Sequence, residues 1–191
     1  MARHKEFDPD AALDRAMALF WEQGYEKTSM QELVERMGVH KRSMYDTFGD
    51  KRSLYLKALD RYGEKVERLR RATADGAADP RAAIRALLTQ AVARADAYPS
   101  GCLAVNCATE TAPRDPDAAR WVERIFAGEH ALLLELVRRG QRDGEITSRL
   151  DARTLADLLL NAWVGLRVQV RVGASAERLT SMIDSALALL D

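Results

Sequence analysis

The fold turns on the stretch Thr28-Ser29-Met30-Gln31-Glu32-Leu33-Val34-Glu35-Arg36-Met37-Gly38-Val39-His40-Lys41-Arg42-Ser43-Met44-Tyr45-Asp46-Thr47-Phe48-Gly49. Thr28 and Ser29 each precede a Gln or Glu by three residues, Gln31 and Glu32, so either can form a capping box and start a short helix that stops at Gly38. A third short helix follows over Val39 to Phe48, with Val39, Met44 and Phe48 turned inward and the polar residues outward, and Gly49 closes it. Two short helices joined by a tight glycine-containing turn meet the requirement of a helix-turn-helix.

Both flanks read as helix. Asp8-Pro9 supplies an N-cap and a first-turn proline, the apolar set Leu13, Met17, Phe20 and Trp21 follows, and Gly24 ends helix one. On the other side Asp50 caps a long fourth helix carrying Leu54, Leu56, Leu59, Tyr62, Val66 and Leu69, which fades between Ala74 and Ala78. Asp79-Pro80 starts a fifth, expected to run to about Ala97 before the break at Tyr98-Pro99-Ser100-Gly101, and a sixth spans about Cys102 to Thr111. Pro113 to Pro116 opens a seventh through Trp121, Ile125, His130, Leu133 and Val137, ending between Gly140 and Gly144. Asp151 caps an eighth, and Ser175 a ninth expected to reach the C-terminus. The fold class is therefore all-α with about nine helices, divided as residues 1–50 and residues 51–191.

Composition agrees. The 191 residues are 47% apolar, enough for a substantial core, and β-branched runs are almost absent. Formal net charge is zero, so any electrostatic argument must be local. It is found around the third helix, where Arg36, Lys41, Arg42, Lys51 and Arg52 face only Asp46 and Asp50. Met1 to Phe7 carries no apolar run after its basic residues, which predicts a cytoplasmic protein. The most apolar region, Leu155 to Val172, is interrupted by Asp157, Asn161, Arg167 and Arg171, so no membrane span is expected. Glycine-rich phosphate loops, His-Glu-x-x-His and paired CxxC are missing, and His4, His40 and His130 are scattered, so neither an enzyme nor a metal or cofactor site is expected. A helical interaction module without DNA binding is the other alternative.

The residues themselves resemble the TetR/AcrR family of repressors: Gly24-Tyr25, Thr28-Ser29-Met30, Gly38-Val39, Ser43-Met44-Tyr45, Phe48-Gly49-Asp50-Lys51 and Leu54-Tyr55, a match from about Phe7 to Tyr62 without a gap. The resemblance implies a dimeric transcriptional regulator, a repressor released from a palindromic operator in double-stranded DNA by a small-molecule effector. The third helix would enter the major groove, with Lys41 and Arg42 reading bases and Thr47 also within reach. Tyr45 and Lys51 match positions that hold phosphates, Thr28 or Ser29 would donate to a phosphate, and Gln31 would approach a base. His40 and Ser43 complete the expected DNA-contacting set. His40 stands where a serine-like cap is common and Arg42 where a small residue is usual, so the operator preference is this chain's own.

For the C-terminal part, helix eight offers Leu155, Leu158, Leu159, Ala162, Leu166 and Val170, and helix nine Leu179, Met182, Ile183, Ala186, Leu187 and Leu190, stripes broader than one core face needs. The resemblance implies that these last two helices form a homodimer. Helices four to seven could enclose an effector pocket, with aromatics mixed among isolated polar groups: Tyr62, Tyr98, Asn106, Glu110, Trp121, Phe126, His130 and Trp163. They suit an ordinary core as well. Cys102 and Cys107 lie about 140° apart on one helix, poorly placed for a local disulfide, and no cation within a turn favours a reactive thiolate. The family's behaviour further implies that the long fourth helix transmits the effector signal by a small tilt that changes recognition-helix separation.

Overall fold

The computed structural model describes residues 7–93 and 99–191. Among them are nine α-helices: α1 (Pro9–Gln23), α2 (Met30–Met37), α3 (Lys41–Phe48), α4 (Lys51–Asp75), α5 (Pro80–Val92), α6 (Leu103–Glu110), α7 (Pro116–Asp143), α8 (Ala152–Arg171) and α9 (Ala176–Leu187). Carboxylates start most of them. Asp50 accepts from the Ser53 N–H at 2.8 Å, Asp79 from Ala82 at 2.7 Å, and Asp151 from Arg153 and Thr154 at 3.0 and 3.1 Å. Each such cap is worth roughly 1 kcal/mol. Prolines in the first turn of α1, α5 and α7 lose no helical hydrogen bond there.

Of the two ways to cap α2, the chain uses Ser29 and Glu32. The Ser29 hydroxyl accepts from the Glu32 N–H at 3.2 Å, and the Glu32 carboxylate accepts from the Ser29 N–H at 2.8 Å. Thr28 points inward, is 1% exposed, and donates its hydroxyl to the Gly24 carbonyl at 2.5 Å. Gly38, at φ 68°, makes the turn, and α3 begins at Lys41, later than Val39, which packs in the turn as a buried residue.

The first turns of α4 pack on α1, closing a core of Met17, Phe20, Leu33, Met37, Met44, Phe48, Leu54 and Tyr55. The rest of α4 continues into a second layer against α5 and α7, and α8 packs on α5, α7 and α9. One unbroken helix of 25 residues thus belongs to both parts. α5 stops at Val92, with Ala93 extended, so it is shorter than expected; residues 94–98 lie outside the described residues. α9 gives way to a 3-10 turn over Ala188–Leu190. The Leu190 carbonyl there accepts from the Thr147 and Ser148 N–H groups at 3.0 and 3.2 Å.

The stripes on α8 and α9 divide differently from the sequence expectation. Leu155, Leu159, Leu166, Val170, Leu179, Ile183, Ala186, Leu187 and Leu190 are all buried within the single chain. They fill its own core and are not free to meet another copy, because α5 and α7 already cover that face. Leu158, Ala162 and Met182 remain at least partly accessible, and Val168 and Val172 join them as exposed large apolar residues. No helix among the described residues is long and apolar enough to cross a membrane.

Candidate nucleic-acid interface and regulatory interior

On α3 the apolar residues Met44 and Phe48 are buried, which turns Lys41, Arg42, Tyr45 and Asp46 to solvent. The Arg42 side chain is 91% exposed and only 3.9 Å from Asp46, so its planar donor fork is available. Tyr45 is the exposed aromatic of this face, Ser43 and Thr47 are half-buried at its edges, and Gln31 lies exposed on α2, donating to Glu35 at 3.0 Å. His40, the N-cap of α3, makes no side-chain cap hydrogen bond. Lys51 sits over the Tyr25 ring at 4.4 Å and donates to the Glu26 carbonyl at 3.4 Å, which holds its ammonium at the α4 N-terminus beside the α1–α2 turn.

Two parts of the sequence expectation do not survive this geometry. Thr28 presents no hydroxyl to a phosphate, because that group is buried on Gly24; Ser29 alone stays exposed at the start of α2. The local positive surface is also smaller. Arg36 pairs with Glu22 at 2.8 Å, and Arg52 grips Asp115 at 2.6 and 2.9 Å and Asp117 at 2.5 Å, leaving Lys41, Arg42 and Lys51. The guanidinium hydrogen bonds from Arg52 hold the Asp115 carboxyl down at about 2.

That Arg52 contact is one of several that fasten the helix-turn-helix to the body. Glu110, at the end of α6, accepts from the Tyr25 N–H at 3.0 Å with one oxygen and from the Glu26 N–H at 2.9 Å with the other. Gly24 permits the approach: a Cβ there would stand 2.8 Å from the carboxylate, and its φ of 87° is glycine territory. Asn106 donates to the Trp21 carbonyl at 3.3 Å, Arg171 to the Glu22 carbonyl at 2.6 Å, and the Tyr55 hydroxyl meets Thr111 Oγ1 at 3.2 Å. Asn106 and Glu110, expected in an effector pocket, therefore line this joint, beside a cleft of about 300 Å³ shared with Gln23, Lys27 and Arg171.

The other expected pocket residues fall into separate contacts. Tyr62 is buried, with its hydroxyl 3.2 Å from Cys102 Sγ, its ring edge-on to Trp21 at 5.0 Å and 6.2 Å from Trp121. Phe126 and Trp163 make an edge contact at 6.5 Å, and His130 Nε2 stands 2.9 Å from Asp157 Oδ1. Tyr98 lies outside the described residues. Sequence reading missed the charges in this interior. Arg70 of α4, 7% exposed, faces Glu129 of α7, 2% exposed, at 3.6 Å, and Arg167 of α8 lies over the Trp163 ring at 5.0 Å. Burial pushes the Glu129 carboxyl up, against the opposing pull of Arg70 and Arg167, and burial lowers Arg70. A signal was present: Glu129 falls four residues after Ile125 and three and four before Leu132 and Leu133, on the apolar stripe of α7.

Both cysteines are free and buried. Burial pushes the Cys107 thiol up to about 11, the opposite of what a reactive thiolate needs. No cluster of three or more His, Cys, Asp or Glu among the described residues is arranged to hold a metal ion.

Comparison with known proteins agrees with this architecture along the whole chain. Residues 12–58 match the family model "Bacterial regulatory proteins, tetR family", and residues 80–186 match "Tetracyclin repressor-like, C-terminal domain". An uncharacterized HTH-type transcriptional regulator of Bacillus subtilis, YezE, is 36% identical, with both chains covered in full. The HTH-type transcriptional repressor ComR of Escherichia coli is 33% identical over 98% of this chain and 90% of its own. Among solved structures, a cysteine-substituted form of the TetR family transcriptional regulator CifR, complexed with 26-bp double-strand operator DNA, superposes with a TM-score of 0.88 at 34% identity, covering 100% of both chains. With a recognition helix presented on a tight turn and both family models matched, the chain belongs to the TetR family of bacterial regulatory proteins.

Proposed function

We propose that this chain acts as a homodimeric repressor that reads a palindromic operator through α3 and releases it when a small molecule enters the interior between α4, α7 and α8. The observation that carries the reading is the α3 face, where Lys41, Arg42 and Tyr45 are exposed with no strong partner while the neighbouring cations Arg36 and Arg52 are tied up in ion pairs. Arg42 and Lys41 reach base edges, with Thr47 and Gln31 at the margins. Tyr45, Lys51, Ser43, His40 and Ser29 fix the register on phosphates. The repressor name of ComR and the operator complex of CifR support this assignment.

The dimer forms through the outward faces of α8 and α9, where Leu158, Ala162, Val168, Val172 and Met182 remain accessible after the core is complete. A twofold pair places two α3 helices about 34 Å apart or a multiple of it, the spacing of one DNA turn. The head, residues 1–50, is steered by the body, residues 51–191, through the joint at Glu110, Asn106 and Arg171. The effector site uses Tyr62, Trp121, Phe126, His130 and Trp163 around the buried charges. The protein works in the cytoplasm, where its target is, and catalyses no reaction.

Selection of bound fragments from genomic DNA by the purified protein tests the reading. The expected product is an inverted repeat, bound with an affinity that falls steeply as salt rises. A protein with no preference among natural duplexes at low ionic strength overturns it.

A further inference from the structure

The interior holds more charge than packing alone calls for, and the bonding capacity left over specifies a chemistry. Arg70 enters from α4 and Glu129 from α7, 3.6 Å apart, and the charge of Arg167 on α8 also pulls on the Glu129 carboxyl, so three helices supply charge to this interior. Gly128 makes room for Arg70: a Cβ at that position would stand 3.1 Å from Arg70 Nη1. Arg70 also pairs with Glu67, but that carboxylate is 39% exposed and shared with Arg71 at 2.6 Å. The balance is then the buried guanidinium of Arg70 and the half-buried guanidinium of Arg167, which also donates to the Gly101 carbonyl at 3.4 Å, against the single buried carboxylate of Glu129.

Three atoms of these side chains are buried and make no hydrogen bond among the described residues: Arg70 Nε, Arg167 Nε and Glu129 Oε1. Each is expensive to leave so, because a buried ionic group without its hydrogen bonds forfeits hydration that nothing replaces. Two are donors on cations and one is an acceptor on an anion. The complementary molecule offers acceptor oxygens with one negative charge and, next to them, one donor. The walls are apolar and aromatic, Phe126 and Trp163 above all, with Arg167 already stacked on the indole.

We infer that the effector of this regulator is a small hydroxy acid, its carboxylate taken by Arg70 and Arg167 and its hydroxyl donated to Glu129. The inference rests on the effector reading given above, and it adds the ligand's class. A carboxylate offsets the surplus positive charge, a hydroxyl meets the Glu129 oxygen, and the hydrocarbon remainder lies against the aromatic wall. Because the three anchors sit on α4, α7 and α8, such a ligand draws together helices that reach the head through Lys51 at one end of α4 and Arg171 at the end of α8.

The test is calorimetric titration of the full-length protein with lactate, 3-hydroxybutyrate and mandelate, each against its deoxy acid and its amide. Operator binding is followed in parallel by fluorescence anisotropy. At least one hydroxy acid is expected to bind about tenfold or more tightly than both its deoxy acid and its amide. Arg167→Gln should erase the preference for acid over amide, Arg167→Lys should retain part of it, and Glu129→Gln should tighten every acid by removing the facing charge. No acid exceeding its amide, or a preference unchanged in both Arg167 variants, overturns the inference. Acids that bind through Arg167 yet leave operator affinity unchanged support the ligand class and remove the effector reading. Release by the amides alone, indifferent to Arg167, keeps the effector reading and overturns the class.

Discussion

Replacing Glu110 by alanine should unfasten the helix-turn-helix from the body at a measurable cost. The carboxylate accepts two backbone hydrogen bonds, from Tyr25 in a partly buried setting and from Glu26 in an exposed one. A hydrogen bond to a charged group contributes about 1.5–3 kcal/mol, and exposure of the second brings the expected total to about 3 kcal/mol. For a chain of this length each kcal/mol moves Tm by roughly 2–4 °C, so Glu110→Ala should melt about 6–12 °C lower by circular dichroism. Glutamine is no conservative substitute, since its amide NH2 would confront one of the two N–H donors; it should recover less than half the loss. Gly24→Ala adds a sharper check. It carries backbone strain of about 1–3 kcal/mol and a clash with the same carboxylate, so in the Glu110→Ala background only the strain remains. The two losses should be non-additive by about 1 kcal/mol or more. A Tm within 1 °C of wild type for Glu110→Ala, or strict additivity with Gly24→Ala, refutes the reasoning.

Other expectations follow from the same contacts. Arg42→Ala should lose about 1–3 kcal/mol on the selected operator and relax discrimination at one base pair, whereas Lys51→Ala should weaken specific and random duplexes alike and reduce the salt slope by about one; anisotropy titrations at several salt concentrations separate the two. Leu158→Glu combined with Val168→Glu should yield a folded monomer by analytical ultracentrifugation, while Leu159→Ala, in the chain's own core, should lower stability by about 2–5 kcal/mol and leave association intact. Cys107, with its thiol pushed up to about 11 against an ordinary 9.0, should react with iodoacetamide at pH 8 about 100-fold more slowly than an exposed thiol, and reach the normal rate only in denaturant. Asp115 is held at about 2, below its ordinary 3.8, so the stability that it contributes is complete above pH 4 and is lost as the pH falls towards 2. Asp115→Asn should flatten the melting profile over that window, and an unchanged profile would show that the Arg52 contact does not anchor α7.

Much of the fold was legible because its punctuation is local. Asp8, Asp50, Asp79 and Asp151 cap their own helices through N–H groups two or three residues away, and the turn glycines Gly38 and Gly144 adopt left-handed conformations that the chain order announces. The choice between Thr28 and Ser29 as cap was not legible, since both satisfy the same spacing and only the Gly24 carbonyl, in the third dimension, claims one of them. Dimer residues were misjudged for a related reason: a wide apolar stripe shows how much surface is hidden, and not whether α5 and α7 or a second copy hides it. Glu110 and Asn106 were recognised as polar residues with a purpose but placed in the pocket, because their partners are backbone atoms more than 80 residues away in sequence. Arg70 went unnoticed, and Arg167 was read only as an interruption of an apolar stretch, because an arginine on a helix ordinarily marks a solvated face.

The unfinished beginning of α3 has a consequence for when that helix is whole. His40 provides no acceptor for the first N–H groups, and Lys41 and Arg42 place two cations at the end of the helix that already carries the positive pole. Free in solution, this first turn is the one most prone to fray. A phosphate from the duplex would cure both faults together, accepting from the bare amides and neutralising the crowded charge, so the polymer being read also supplies the missing piece of its reader.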